Sequence, residues 1–348
     1  MCRVACVEKN DFGSGTSSRS TKLIHGGVRY LEKAVFQADL SQLKLVFEAL
    51  HERKAMMHNA PHLSQALPIM TPCYSWWELP YYWAGLKLYD LVAGPRGLTW
   101  SYVMPADRAH RLFPTLALNR RDDHRSLKGT IVYYDGQFND ARMNALLAVS
   151  AAAAGATMAN HVAVVDVLKD DQDKNKITGV KVQDLLTGQN LGPVYAKCVV
   201  NATGAYSDAV RGMSQPGVAP MVQPSAGVHI TLPDYYSPQN VGMIVPKTKD
   251  GRVVFMLPWL DHTIAGTTDG ACGVEDRPQP KEEDINFILD ALKDFLTVQV
   301  RRSDVMSAWS GIRPLAADPT AGDTENVSRD HVVCVENDGL VTIAGGKV

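Results

Sequence analysis

One stretch constrains this chain more than any other. Residues 12–30 read FGSGTSSRSTKLIHGGVRY, with four glycines and six serines and threonines in nineteen positions. Arg19, Lys22, His25 and Arg29 lie among them. Glycines let a backbone approach a ligand closely, and hydroxyl and cationic side chains suit a polar one. The short apolar run Val4–Val7 precedes the stretch and ends at Glu8, as a buried strand would. The pattern predicts a strand, then a loop along a large polar ligand, then a helix. Because Ser and Thr are good N-caps, that helix is predicted to start near Thr16 to Ser20, with Gly26 and Gly27 breaking or tightening it.

At 348 residues the chain is long enough for two domains, or for one large α/β unit with an insertion. Its 35 basic and 37 acidic residues leave a net charge of −2, which gives no reason to expect nucleic acid binding. The six cysteines are scattered without a C-x-x-C pair, so neither a disulfide framework nor a zinc site follows. The apolar core of residues 1–8 is too short for a signal peptide. No run approaches the ~18 apolar residues needed to span a bilayer.

Further along, Asp39–His58 has amphipathic helical spacing and ends before Pro61. Residues 68–100 carry Trp76, Trp77, Trp83 and Trp100, in or beside a helix over 79–92. That helix reads either as a cap packing its aromatics into an interface or as a membrane-facing surface. Ile131–Tyr134 is a predicted strand, and Asp140–Ala154 an alanine-rich helix with an acid at its N-terminus. Three strands, 161–168, 177–182 and 194–200, form a predicted meander. Asp171–Val182 is not a calcium loop, because Lys176 and Val182 stand where glycine and glutamate are needed. Strands are predicted at 228–232, 252–257, 262–266 and 340–344, and a helix at 281–296.

Several short segments carry chemistry. Glu8 closes a strand, where an acid can accept hydrogen bonds from a ribose diol. Asn201-Ala-Thr-Gly204 follows a buried strand and reads as a tight turn or as a place of close ligand approach. Gly345-Gly-Lys347 has the same form with an added cation. Gly266-Thr-Thr-Asp269 and Ser310-Gly-Ile-Arg-Pro-Leu315 complete the set.

These segments, with Gly15–Leu31 (GTSSRSTKLIHGGVRYL), Ala60-Pro-His-Leu63 and Asn139-Asp-Ala-Arg142, resemble in order and spacing the FAD-dependent glycerol-3-phosphate dehydrogenases of mitochondrial type. The resemblance covers essentially the whole chain. It implies an α/β flavoprotein of the D-amino-acid-oxidase type: a Rossmann-like FAD domain plus an α+β substrate or cap domain with an antiparallel sheet. The implied FAD domain comprises 1–61, 128–211 and 328–348, and the substrate domain 62–127 and 212–327. The implied reaction oxidises sn-glycerol 3-phosphate to dihydroxyacetone phosphate, with electrons passing through FAD to ubiquinone at the mitochondrial inner membrane.

By the same resemblance, Glu8, Thr16, Ser17, Ser20, Lys22, His25, Gly26, Gly27, Thr203, Gly204 and Gly346 are expected to line the cofactor. Arg29, Tyr30, Arg313, Arg329 and Lys347 are expected to hold the substrate; guanidinium groups bind phosphate well. His229 is the expected base and Arg313 its catalytic companion, since an imidazole titrates near working pH. No metal is expected. Members of the family carry a strand and a G-x-G-x-x-G turn ahead of the residue matching Glu8, and more chain after the Gly-Gly-Lys. The sequence therefore reads as a truncated form, with weak or no FAD binding expected of 1–348 alone. Two alternatives are a glycerol-3-phosphate oxidase using oxygen and a non-catalytic form with an interaction role only.

Overall fold

The computed structural model describes residues 2–37, 39–245, 252–316 and 331–346. In chain order, β1 (Ala5–Val7) leads through a 3-10 turn at Thr16–Ser18 to β2 (Leu23–Ile24), α1 (Val28–Gln37) and α2 (Leu40–Asn59). Then come β3 (Ser64–Cys73), α3 (Glu78–Ala93), β4 (Tyr102–Pro105), α4 (Ala106–Leu112), β5 (Gly129–Phe138) and α5 (Asp140–Ala153). β6 (Thr157–Ala159), β7 (Val162–Lys169), β8 (Ile177–Asp184), β9 (Asn190–Tyr195), β10 (Val200–Asn201) and α6 (Ser207–Ser214) follow. The remainder is β11 (Val222–Pro233), β12 (Gly242–Val245), β13 (Val254–Trp259), β14 (His262–Gly266), β15 (Gly270–Ala271), α7 (Glu282–Lys293), β16 (Ser307–Ala316), β17 (His331–Val335) and β18 (Val341–Gly345).

Among the described residues, ten strands form the largest sheet, in the order β15-β11-β14-β13-β12-β3-β5-β2, with β16 on β11 and β4 on β5. Strand alternation buries both faces. Ile69, Ile131 and Tyr133 point toward α1, α2 and α3, where Val46, Leu50 and Tyr89 pack. Their neighbours Met70 and Val132 point the other way, joining Val228, Ile230 and Met256 beneath α7. Helix α7 buries Ile285, Ile288, Leu289 and Leu292, one helical stripe, and carries three acids in its first turn.

A parallel pair β1-β6, a sheet β10-β18-β17 and the meander β7-β8-β9 make up the other sheets. β10 and β18 run parallel, so Thr203-Gly204 and Gly346 emerge from the same end. The meander matches the expectation, although its third strand lies at 190–195 and not 194–200.

One expectation needs correction. The helix expected near Thr16 to Ser20 starts at Val28. The hydroxyls that would have capped it are used elsewhere: Thr16 donates to the Ile312 carbonyl and Ser20 to Asp140. Gly27, with φ +82°, makes the turn into α1 instead. Residues 307–316, where no element was expected, are one long strand, paired along β11 from Val222↔Ala316 to Thr231↔Ser307. β5 also pairs with β3 over its whole length. The large sheet thus takes residues 129–138, which the boundaries above assign to the FAD domain.

Candidate active site

Antiparallel pairing decides which side chains share a face. His229 lies opposite Trp309 on β16 and opposite Gly266 on β14; Gly227 lies opposite Gly311, and Ser225 opposite Arg313. Since Val228 and Ile230 point into the core, Ser225, Gly227 and His229 point to the other face. Three glycines on this patch make room for larger neighbours. A β-carbon at Gly227 would sit 2.1 Å from Arg313 Nη2, at Gly266 2.5 Å from His229 Cδ2, and at Gly311 2.9 Å from Arg19 Cβ.

His229 is buried, at 2% exposure. Its ring stacks on Trp309 with centroids 5.2 Å apart and planes 10° from parallel. Thr21 Oγ1 is 2.9 Å from its Nε2. Arg313 is fixed from four directions. Nη1 donates to the Ala226 carbonyl and to Asp269 Oδ1, each at 3.2 Å, while Nη2 donates to Thr267 Oγ1 at 2.9 Å and the Thr268 carbonyl at 3.1 Å. Ser225 donates in turn to Asp269.

The Gly/Ser/Thr stretch closes over this face. Thr16 Oγ1 donates to the Ile312 carbonyl at 2.5 Å and Arg19 Nη1 to the Ser310 carbonyl at 2.9 Å. Its far end is tied to the first turn of α5. Asp140 accepts from Ser20 N at 3.1 Å, from Ser20 Oγ at 2.8 Å, and from Lys22 Nζ at 2.7 and 2.9 Å. Ser20 and Lys22, expected at the cofactor, therefore spend their polar atoms on holding the loop. Lys22 also reaches within 5.6 Å of the Trp309 ring centroid.

Gly26 and Tyr30 likewise face inward. A β-carbon at Gly26 would lie 2.0 Å from the Tyr89 hydroxyl, so glycine here lets the chain cross α3. Its N–H donates to Asp135, which Arg53 Nη1 meets at 2.7 Å. Burial pushes the Asp135 carboxyl up to about 6 against the opposing pull of Arg53, the Gly26 N–H and Tyr89. Tyr30 packs among Leu31, Val46 and Leu50, its ring 6.1 Å from that of His25. Arg29 belongs to the first turn of α1, with its side chain outside the described residues. Arg329 and Lys347 also lie outside them.

The strand-end residues gather at a second place. Glu8 closes β1, accepting from Asn10 N at 2.8 Å. Ser17 is exposed in the 3-10 turn. Thr203 donates to Asn201 Oδ1 at 2.8 Å; Gly204 (φ +60°) has open space where a β-carbon would go, as does Gly15. Gly346, with φ +73°, ends β18. Lys9, next to Glu8, pairs with Asp276 at 2.8 Å and lies 4.8 Å from the ring of Tyr206, two residues after Gly204. Tyr206 also donates to Asp276, and its hydroxyl is pushed up to about 12, by burial first and then by that carboxylate. No cluster of metal-ligating side chains occurs among the described residues.

Thr21, Trp309, Arg19 and Asp269 were not expected to serve the site individually. Alternation along a strand at 307–316 would have marked Trp309 with Gly311 and Arg313. Nothing in the local sequence marks Thr21 among its many hydroxyl neighbours.

Parallel strands ending in glycine turns, set beside a large antiparallel sheet whose polar face holds a buried histidine and a caged arginine, define a flavoprotein fold of the D-amino-acid-oxidase class. The sequence model of the FAD dependent oxidoreductase family matches residues 1–348, and the chain belongs to that family. It is 61% identical over 345 residues to a mitochondrial glycerol-3-phosphate dehydrogenase of Arabidopsis thaliana, covering 99% of this chain and 54% of that protein. It is 55% identical over 350 residues to the human mitochondrial glycerol-3-phosphate dehydrogenase, covering 99% and 47%. The chain spans about half the length of these curated relatives. Among solved structures, it is similar to the Bacillus halodurans glycerol-3-phosphate dehydrogenase complexed with FAD, with a TM-score of 0.73 and 27% identity over 99% of this chain and 56% of that one.

Proposed function

We propose that this protein oxidises sn-glycerol 3-phosphate to dihydroxyacetone phosphate with FAD as the hydride acceptor. The observation that carries the reading is the shared face of β11, β14 and β16, where His229 and Arg313 lie under the Gly/Ser/Thr stretch. The similarity to glycerol-3-phosphate dehydrogenases supports it independently.

The residues present fit FAD. Open glycine positions at Gly15 and Gly204 leave room for a pyrophosphate, and Glu8 offers a carboxylate for a ribose. Bound FAD would supply the two-electron acceptor. The chain's own residues supply position and proton transfer. His229 accepts the proton of the C2 hydroxyl as the carbonyl forms. Arg313, held by its hydrogen bonds to Asp269 and Thr267, steadies the developing negative charge on that oxygen. Arg29, Arg329 and Lys347 are the proposed phosphate ligands; Tyr30 adds to them only if its buried hydroxyl reaches the site. Ser17, Thr203 and His25 stay as proposed cofactor neighbours, with Thr16, Ser20, Lys22, Gly26 and Gly27 shaping the wall. The two-domain division also stands as a proposal.

For the electron acceptor we propose ubiquinone, at a membrane surface and in mitochondria, the location given in the relatives' names. No helix among the described residues is long and apolar enough to cross a membrane. Trp76, Trp77, Trp83, Leu91 and Trp100 are exposed on or beside α3, and Phe36 and Leu40 on neighbouring helices. Lys87 lies 5.1 Å from the Trp100 ring and Lys128 5.7 Å from that of Trp76, a pairing suited to lipid headgroups.

The test is purification of the protein and assay with glycerol 3-phosphate, reading dye or quinone reduction against peroxide. Substrate-dependent dye reduction by a yellow protein supports the reading. Peroxide as the main product moves it to an oxidase, and bound flavin without turnover of this substrate contradicts it.

A further inference from the structure

We propose that Thr21 is a positioning residue for His229: its hydroxyl fixes which edge of the imidazole points toward the Gly/Ser/Thr loop. The inference rests on the reading of His229 as proton acceptor. Both faces of the ring are closed, by Trp309 on β16 and by the backbone of β14 at Gly266. A ring held between two walls keeps one large freedom, a half-turn about its Cβ–Cγ bond that exchanges the nitrogen and carbon edges. Its shape is nearly the same after the turn, so packing alone selects between the two poorly. A hydrogen bond selects well, because the turned ring would present a C–H to a hydroxyl that needs a partner.

Thr21 Oγ1, 2.9 Å from Nε2, makes that selection. Thr21 is itself held in place from both sides. Ser20 donates twice to Asp140, and Lys22 donates to both carboxylate oxygens. Arg19 is fastened to the Ser310 carbonyl, one residue from Trp309. A hydroxyl on so restrained a segment can orient a base; one on a loose loop would follow the base instead. Asp140, at the start of α5, thus anchors the segment that carries Thr21 to His229.

Thr21→Val keeps the shape and removes the hydroxyl, Thr21→Ser restores it, and His229→Asn controls for the base. With glycerol 3-phosphate, Thr21→Val is expected to lower kcat about tenfold with KM within about twofold, and Thr21→Ser to recover most of the loss. A second readout needs no turnover. In histidine 15N-labelled protein, the His229 ring resonances are assigned by their loss in His229→Asn. Each nitrogen should keep a single sharp resonance in Thr21→Ser and broaden or split into two in Thr21→Val, as the ring samples both edges. If Thr21→Val and Thr21→Ser lose activity equally, or if Thr21→Val leaves both kcat and the ring resonances unchanged, the inference falls. An unchanged kcat in His229→Asn overturns instead the reading of His229 as the base.

Discussion

The guanidinium of Arg313 occupies the space where a side chain at Gly227 would begin, with Nη2 2.1 Å from the β-carbon position. The cation and its glycine lie on paired strands, so the arginine is aimed by backbone register as well as by Asp269 and Thr267. Gly227→Ala should therefore push Arg313 out of its cage. The expected result is a fall of about tenfold or more in kcat/KM for glycerol 3-phosphate, carried mainly by kcat. Arg313→Lys should behave similarly, because an ammonium cannot reproduce the forked contacts. Steady-state kinetics beside flavin content checks both, and flavin content should stay near wild type.

The second glycine makes a parallel case. A β-carbon at Gly266 would lie 2.5 Å from His229 Cδ2 and 3.0 Å from the Val228 carbonyl. The ring is stacked on Trp309 and cannot retreat. Gly266→Ala should lower kcat more than it raises KM, and should destabilise the protein by about 1–3 kcal/mol. Thermal denaturation and turnover measured together separate the two effects.

Much of this was legible in the sequence. His229 and Arg313 were named through the family resemblance, and the structure sets them on one face of the large sheet. The helix over 40–59 followed from apolar spacing, those over 140–153 and 282–293 from composition and acids near their starts, and the meander from strand-like runs between polar turns. The misreadings share a cause. Ser and Thr at 16–20 look like helix caps, yet their hydroxyls bond groups roughly 120 and 300 positions away, at Asp140 and Ile312. Local propensity carries no record of such partners. Likewise β3, at Ser64–Cys73, contains two prolines and reads poorly as a strand, yet it pairs with β5 throughout. Gly26 looked like a ligand-facing glycine, and the need it meets is the buried hydroxyl of Tyr89.

The Asp140–Lys22 pair is nearly buried, with side-chain exposures of 2% and 11%. Asp140→Ala strands an ammonium in the interior and should cost about 3 kcal/mol. Denaturant titration should show a lower midpoint with an unchanged slope. Lys22→Met combined with Asp140→Ala should recover part of the loss, since no uncompensated charge remains.

The Arg53–Asp135 pair gives a pH signature. Burial raises the folded-state carboxyl of Asp135 to about 6, above its ordinary value of 3.8. The folded state therefore holds a proton that the unfolded chain gives up between those values. This contribution to stability is fully present below pH 3.8 and is lost as pH rises through about 6. Asp135→Asn should remove this component from the slope of stability against pH, visible as the difference between the two proteins' denaturation curves from pH 4 to 7.

On the proposed mechanism, His229 takes the C2 hydroxyl proton of glycerol 3-phosphate, and bound FAD would supply the hydride acceptor. The most direct test mixes the flavin-loaded protein with glycerol 3-phosphate without oxygen and follows the flavin absorbance in a single turnover. The account predicts rapid bleaching by the wild type and bleaching slowed about a hundredfold or more in His229→Asn, with equal flavin content. Bleaching at the same rate in both, or none in the wild type, would contradict it.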